Sequence, residues 1–155
     1  MTIKPHNHSK ILIISSEFPP GPGGIGNHAY NLANELSKRG NFVIVNTISD
    51  YVTNRQARAF DKKLSFRIYR FQRYSNIVLT WIQRVNTIRK TIKKYNLKRV
   101  IVSGKFSIWV IPLLKLYSGI RICTVVHGSE LGKTIFLNWT ISVSYTHLRA
   151  HETVV

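Results

Sequence analysis

Continuous apolar runs alternate along this chain with stretches whose apolar residues recur every three or four positions, as when strands exchange with helices. Ile11 to Ser15 is such a run and predicts a strand buried on both faces of a parallel sheet. Beyond a Pro/Gly-rich loop, Ile25, Ala29, Leu32, Ala33 and Leu36 fall on one helical face, and Lys38, Arg39 and Gly40 supply a basic, glycine-terminated stop. Phe42 to Thr47 predicts a second strand, the polar stretch Tyr51 to Lys63 a loop or short helix, and the alternating Leu64 to Phe71 a third strand. Leu79, Ile82, Val85, Ile88 and Ile92 form an apolar stripe at helical spacing, with Arg84, Arg89, Lys90, Lys93 and Lys94 expected away from it. Val100 to Val102 reads as strand four, Phe106 to Tyr117 as a helix and Ile122 to Val126 as strand five. Repeated strand–helix alternation implies an α/β fold, a Rossmann-like doubly wound parallel sheet joined by right-handed crossovers.

Length and composition narrow the class. A chain of 155 residues with 44% apolar content is enough for one α/β domain with its own core. The single cysteine, Cys123, excludes an internal disulfide framework and, lying in an apolar run, predicts a buried inert thiol. Met1 to Lys10 is polar and lacks the apolar segment of a signal peptide. The longest apolar run, Phe106 to Tyr117, is broken by Pro112 and Lys115 and falls short of the ~20 residues that span a bilayer. A cytoplasmic location is expected.

The formal charge of +17 is the outlying number. It suggests a polyanionic partner, nucleic acid or anionic lipid. No nucleic-acid-binding motif accompanies it, so no nucleic acid is expected. The basic helix between Asn76 and Lys94, with Trp81 and Tyr74 beside it, suits peripheral contact with an anionic membrane, as aromatic rings favour the interface and cations pair with headgroups. The competing reading is the solvated outer face of a Rossmann helix.

The strongest local signal is Phe18-Pro19-Pro20-Gly21-Pro22-Gly23-Gly24-Ile25-Gly26, between the first strand and the first helix. Glycines there let the backbone approach a ligand, and the following helix points free N–H groups and its positive dipole end at the same place, so an anionic ligand group fits. A tight connection that needs glycines and nothing more is the alternative. Gly21, Gly23 and Gly26 also satisfy G-x-G-x-x-G, and Asp50 follows strand two as a ribose-binding acid would, which keeps an NAD(P)-binding Rossmann-fold oxidoreductase as the second candidate. Against it, the first glycine of that fingerprint follows its strand almost at once, whereas Ser16 to Pro20 intervene here.

The Phe-Pro-Pro-glycine loop, followed by a helix ending Leu32-Ala33-Asn34-Glu35-Leu36-Ser37-Lys38-Arg39-Gly40, resembles glycosyltransferase family 4. A second element, Thr124-Val125-Val126-His127-Gly128-Ser129-Glu130-Leu131, is similar to that family's strand-five end, where a histidine-glycine pair precedes an acidic residue. The resemblance implies the N-terminal domain of a GT-B two-domain fold, two Rossmann-like halves facing across a cleft, and transfer that retains the donor's anomeric configuration. It implies a nucleotide-sugar donor, no separate cofactor and no metal, and a polysaccharide or lipid-linked acceptor of the cell envelope. Gly23, Gly24 and Gly26, with Gly128 and Glu130, would lie at the donor, and His127 would contact the transferred sugar as the catalytic candidate. Taken without the family, His127 reads as a structural strand-end histidine.

The tail differs from the rest. Val143 to Thr153 resembles one reading frame of an adapter used in preparing DNA for sequencing. Two segments are therefore expected, a truncated glycosyltransferase-like domain over residues 1–141 and a non-native tail over 142–155. That sets aside His147 and His151, whose spacing otherwise imitates a helical metal site. A fragment ending there would lack the donor-binding half and be inactive by itself.

Overall fold

The computed structural model of the chain describes residues 8–49, 52–104, 107, 109–117 and 119–125. Its elements follow the expected alternation: β1 Lys10–Ser15, α1 Gly24–Lys38, β2 Phe42–Ile48, α2 Asn54–Asp61, β3 Arg67–Phe71, α3 Ile77–Tyr95, β4 Arg99–Ser103, a short α4 Ile111–Leu114 and β5 Arg121–Val125. All five strands pair in parallel in the order β3-β2-β1-β4-β5. The chain reverses direction across the sheet between β1 and β4, the place where such folds open a crevice beyond the strands' carboxyl ends.

Strand periodicity splits the core into two layers. Leu12 and Ile14 of β1 join Ile44, Val100 and Val102 under Ile88, Ile92 and Leu97 on one face, with Val110, Ile111 and Leu114 completing that layer. Ile11 and Ile13 join Val43 and Val45 on the other face, under Ala29 and Ala33 of α1, Phe18 and Phe66. Every β1 position from Ile11 to Ser15 is buried, as a central strand covered on both faces requires.

Three departures from the sequence pattern have local causes. The helix expected over Phe106–Tyr117 is interrupted among its described residues: Ser107 is helical, Val110 N and Leu113 N make single-turn bonds to Ser107 O and Val110 O, and α-helix resumes at Ile111–Leu114, where Pro112 has no N–H to bond back into the preceding turn. Cys123 is exposed, not buried, because β5 is an edge strand and Ile122 rather than Cys123 points into the packed layer. The third departure is α3. Its buried residues are Arg84, Ile88, Thr91 and Ile92, while Leu79 and Ile82, counted into the apolar stripe, are each 52% exposed. The face turned to the sheet is therefore rotated from the stripe, and it carries an arginine.

Candidate functional site

Residues 16–23 connect β1 to α1 at the carboxyl edge of the sheet. The connection is anchored at both ends. Ser16 N donates to Ser103 O at 3.1 Å, tying the end of β1 to the end of β4, and Ser15 Oγ donates to Glu17 O at 2.6 Å. Phe18 is 3% exposed and meets Tyr30 and Phe66 edge-on at 6.1 and 6.3 Å between centroids. Arg70 of β3 clamps the middle: Nε and Nη2 donate to Asp61 Oδ2 and Oδ1 at 2.9 and 2.8 Å, and Nη2 also donates to Pro19 O at 2.5 Å. A bidentate arginine–carboxylate pair is the strong form of this interaction, so the loop sits on a stiff base. The Pro19–Pro20 peptide bond within it is cis.

The glycines play different parts. Gly23 caps α1 at φ 138°, a backbone region that disfavours any side chain, and the Glu17 carboxylate fills the space a Cβ would take. Gly24 faces open space. Gly26 is buried, and a Cβ there would lie 3.0 Å from Phe18 N, so its requirement is close helix–loop packing. Gly104, at φ 88°, closes the turn after β4 so tightly that a Cβ would stand 2.6 Å from Ser16 Oγ. No side chain caps the first turn of α1, and that turn contains no acid. Its N–H groups and the positive end of its dipole lie beside Gly23 and Gly24.

Beside the loop, a cavity of about 250 Å³ opens at the carboxyl ends of β1, β2 and β3 and the start of α3. Ser16, Ile48, Phe71, Tyr74, Trp81 and Arg84 are among the residues that line it. Arg84 is 6% exposed; Nη2 donates to Ser107 Oγ at 2.6 Å, and Ser107 Oγ lies 3.1 Å from Ser16 Oγ. Burial pushes the Arg84 guanidinium down to about 10.

Residues 22–155 match the model of Glycosyltransferase Family 4. The chain belongs to glycosyltransferase family 4. A glycosyltransferase from Rickettsia africae shares the fold: TM-score 0.56, 18% identity, 86% of this chain and 35% of that one. A second structure, LpCGTa in complex with UDP, aligns at TM-score 0.36 and 16% identity over 61% of this chain and 24% of that one. The chain thus spans about a third of the Rickettsia enzyme's length. No curated protein sequence matches the chain.

Of the expected site residues, the structure describes the three glycines of the first loop. Gly23 and Gly24 lie at the mouth of the loop and Gly26 beneath it. His127, Gly128 and Glu130 lie outside the described residues, as do Asp50 and the expected boundary at residues 141/142. His28 is exposed on α1. The dinucleotide fingerprint fails on geometry: β1 ends at Ser15 and the helix starts only at Gly24, so Gly21 is not at the strand end. Among the described residues no group of three or more His, Cys, Asp or Glu could hold a metal, and no helix is long and apolar enough to cross a membrane.

Sequence reasoning missed Arg84, Ser103, Gly104 and Ser107. A serine as the last residue of each of β1 and β4, Ser15 and Ser103, is a legible signal once those strands are known to be neighbours. Nothing in the periodicity marks Arg84, since an arginine in a basic amphipathic helix reads as solvent-facing.

Proposed function

We propose that this chain is the N-terminal part of a retaining glycosyltransferase that moves a sugar from a nucleotide-sugar donor to a polysaccharide or lipid-linked acceptor. The observation that carries this is a family-4 match over residues 22–155 on a chain whose glycine loop stands at the switch point of the sheet. Gly23 and Gly24 would face the donor diphosphate. Backbone N–H groups and the α1 dipole at that position stabilise the charge that grows on the leaving nucleotide as the glycosidic bond breaks. His127 would hydrogen-bond the transferred sugar, in the role that the family resemblance gives it. No cofactor is needed, since the donor carries its own leaving group. The site would be completed by a second Rossmann-like domain, and residues 1–155 alone would transfer no sugar.

The test is made on the full-length parent. With release of nucleoside diphosphate as the readout over a panel of nucleotide sugars, His127→Ala should lower kcat by about 100-fold or more at unchanged thermal stability. Unchanged turnover would remove His127 from the site, and no donor consumed by the wild-type parent would remove the function.

Peripheral attachment to the cytoplasmic face of an anionic membrane belongs to the same proposal. Ile77, Val78, Leu79 and Ile82 are 69%, 59%, 52% and 52% exposed at the start of α3, with Lys90, Lys93 and Lys94 further along it. Apolar residues inserting while cations meet headgroups is the arrangement of an interfacial helix. Val78→Ser with Leu79→Ser should reduce sedimentation with vesicles containing phosphatidylglycerol about 10-fold; equal sedimentation would leave the exposed face unexplained.

A further inference from the structure

Of Arg70 and Arg84, both under the carboxyl edge of this sheet, only Arg70 has a carboxylate among the described residues. Arg70 is engaged on Asp61 through two nitrogens. Arg84 is 6% exposed and makes one side-chain hydrogen bond, to a neutral hydroxyl, while its Nε has no partner. The ion pairs among the described residues are Glu35 with Lys38 and Asp61 with Arg70, and neither reaches it. Two ring faces lie beside it, Phe71 with its centroid 5.5 Å and Trp81 5.9 Å from the guanidinium carbon. Ring faces attract a cation but accept no conventional hydrogen bond from it. A charge taken out of water costs several kcal/mol unless an ion and hydrogen bonds meet it.

The side chain is enclosed but not packed away: it lines the cavity of about 250 Å³. That cavity also offers hydroxyl groups from Ser16 and Ser75, and its wall includes Arg73, whereas the Thr80 hydroxyl on it already donates to Tyr74 O and Asn76 O. A preorganised guanidinium fork with hydroxyl donors around an open volume matches the needs of a tetrahedral oxyanion. Its rim begins at Ile77, where the exposed apolar face of α3 starts.

We propose that this cavity is a phosphoryl-binding subsite for the acceptor, with Arg84 as its cation. Calling the ligand the acceptor rests on the function proposed above; the anion subsite itself does not. The phosphoryl group belongs to a soluble phosphomonoester or to a lipid headgroup, whose chain would leave along Ile77 and Val78.

The subsite is tested on the chain of residues 1–155 by following the Arg84 Nε–Hε resonance at constant ionic strength. Inorganic phosphate and glycerol 3-phosphate, exchanged for chloride, should shift that resonance saturably at millimolar concentration. Arg84→Gln should weaken phosphate binding at least 10-fold, whereas Arg89→Gln, on an exposed cation of the same helix, should not. A wild-type resonance unmoved by either anion overturns the proposal without relying on any variant's folding, and so does equal phosphate affinity in Arg84→Gln and wild type. Vesicles of phosphatidylglycerol against phosphatidylcholine separate the sources. Arg84-dependent binding that glycerol 3-phosphate displaces assigns a soluble phosphomonoester. Arg84-dependent binding that it does not displace assigns a headgroup, and vesicle binding indifferent to Arg84, with no response to soluble phosphate, again overturns the subsite. If the anions fail at Arg84 while His127→Ala still abolishes transfer by the parent, the subsite falls and the glycosyltransferase function stands. If phosphate binds through Arg84 but the parent consumes no nucleotide sugar, the reverse holds.

Discussion

The two sides of the sheet's carboxyl edge are built on opposite principles. On the glycine-loop side, Phe18 is sunk into the α1 layer, Arg70 clamps Pro19 O and Asp61 together, and Gly26 lets the helix touch the loop backbone. On the α3 side, Ile77 to Leu79 are exposed, and the buried cation Arg84 has no carboxylate among the described residues. The first side uses its polar groups to hold its own shape, so its backbone is fixed by contacts within the fold. The second leaves an electrostatic demand that the described fold does not meet. Such differences separate a residue that stabilises from one that is kept for something else.

Asp61→Asn tests that contrast most severely. It leaves the nearly buried Arg70, whose side chain is 10% exposed, without its counter-charge while Asp61 itself is 24% exposed. Breaking such a pair by one partner should cost on the order of 3 kcal/mol in urea unfolding and should loosen the loop. A cost below about 1 kcal/mol would mean that the clamp is dispensable.

Next in size is the difference between two neighbouring glycines. Gly26→Ala forces a Cβ to within 3.0 Å of Phe18 N, so the loop must shift, and a net loss of about 1–2 kcal/mol is expected despite alanine's better helix propensity. Gly24→Ala meets nothing within 4 Å and should be neutral or slightly stabilising by thermal melt. Equal effects would contradict the packing described for α1.

The smallest effect is expected from Arg84→Met, which replaces the unpaired cation by an apolar chain of similar length. Removing a buried charge in favour of an apolar group is often neutral or stabilising, so Tm should hold or rise while phosphate binding is lost. The pH dependence carries a sign. Burial lowers Arg84 to about 10, so above that pH the folded chain holds fewer protons than the unfolded one. Stability then rises with pH in wild type through that window, relative to Arg84→Met, and the variant's advantage is largest below about pH 10. A variant advantage that is flat through that window would mean that burial does not depress this group.

Much of this was written in local sequence. Strand positions such as Ile11 to Ser15 and Phe42 to Ile48, the helix carrying Ala29 and Ala33, and the glycine loop all follow from side-chain periodicity and backbone freedom, which are properties of a few consecutive residues. The family was legible for the same reason, because its loop motif is contiguous. Strand order is not local: that β1 lies between β2 and β4 places Ser16 against Ser103 and Gly104, residues far apart in the chain. The exposure of Cys123 follows from β5 standing at a sheet edge, which no window of sequence contains. Arg84 is the sharpest case. Its neighbours in sequence mark it as a solvated cation, and only the direction in which α3 meets the sheet turns it inward, between Phe71 and Trp81, over a cavity. Periodicity states that a helix has faces; which face is buried is decided by where the sheet lies.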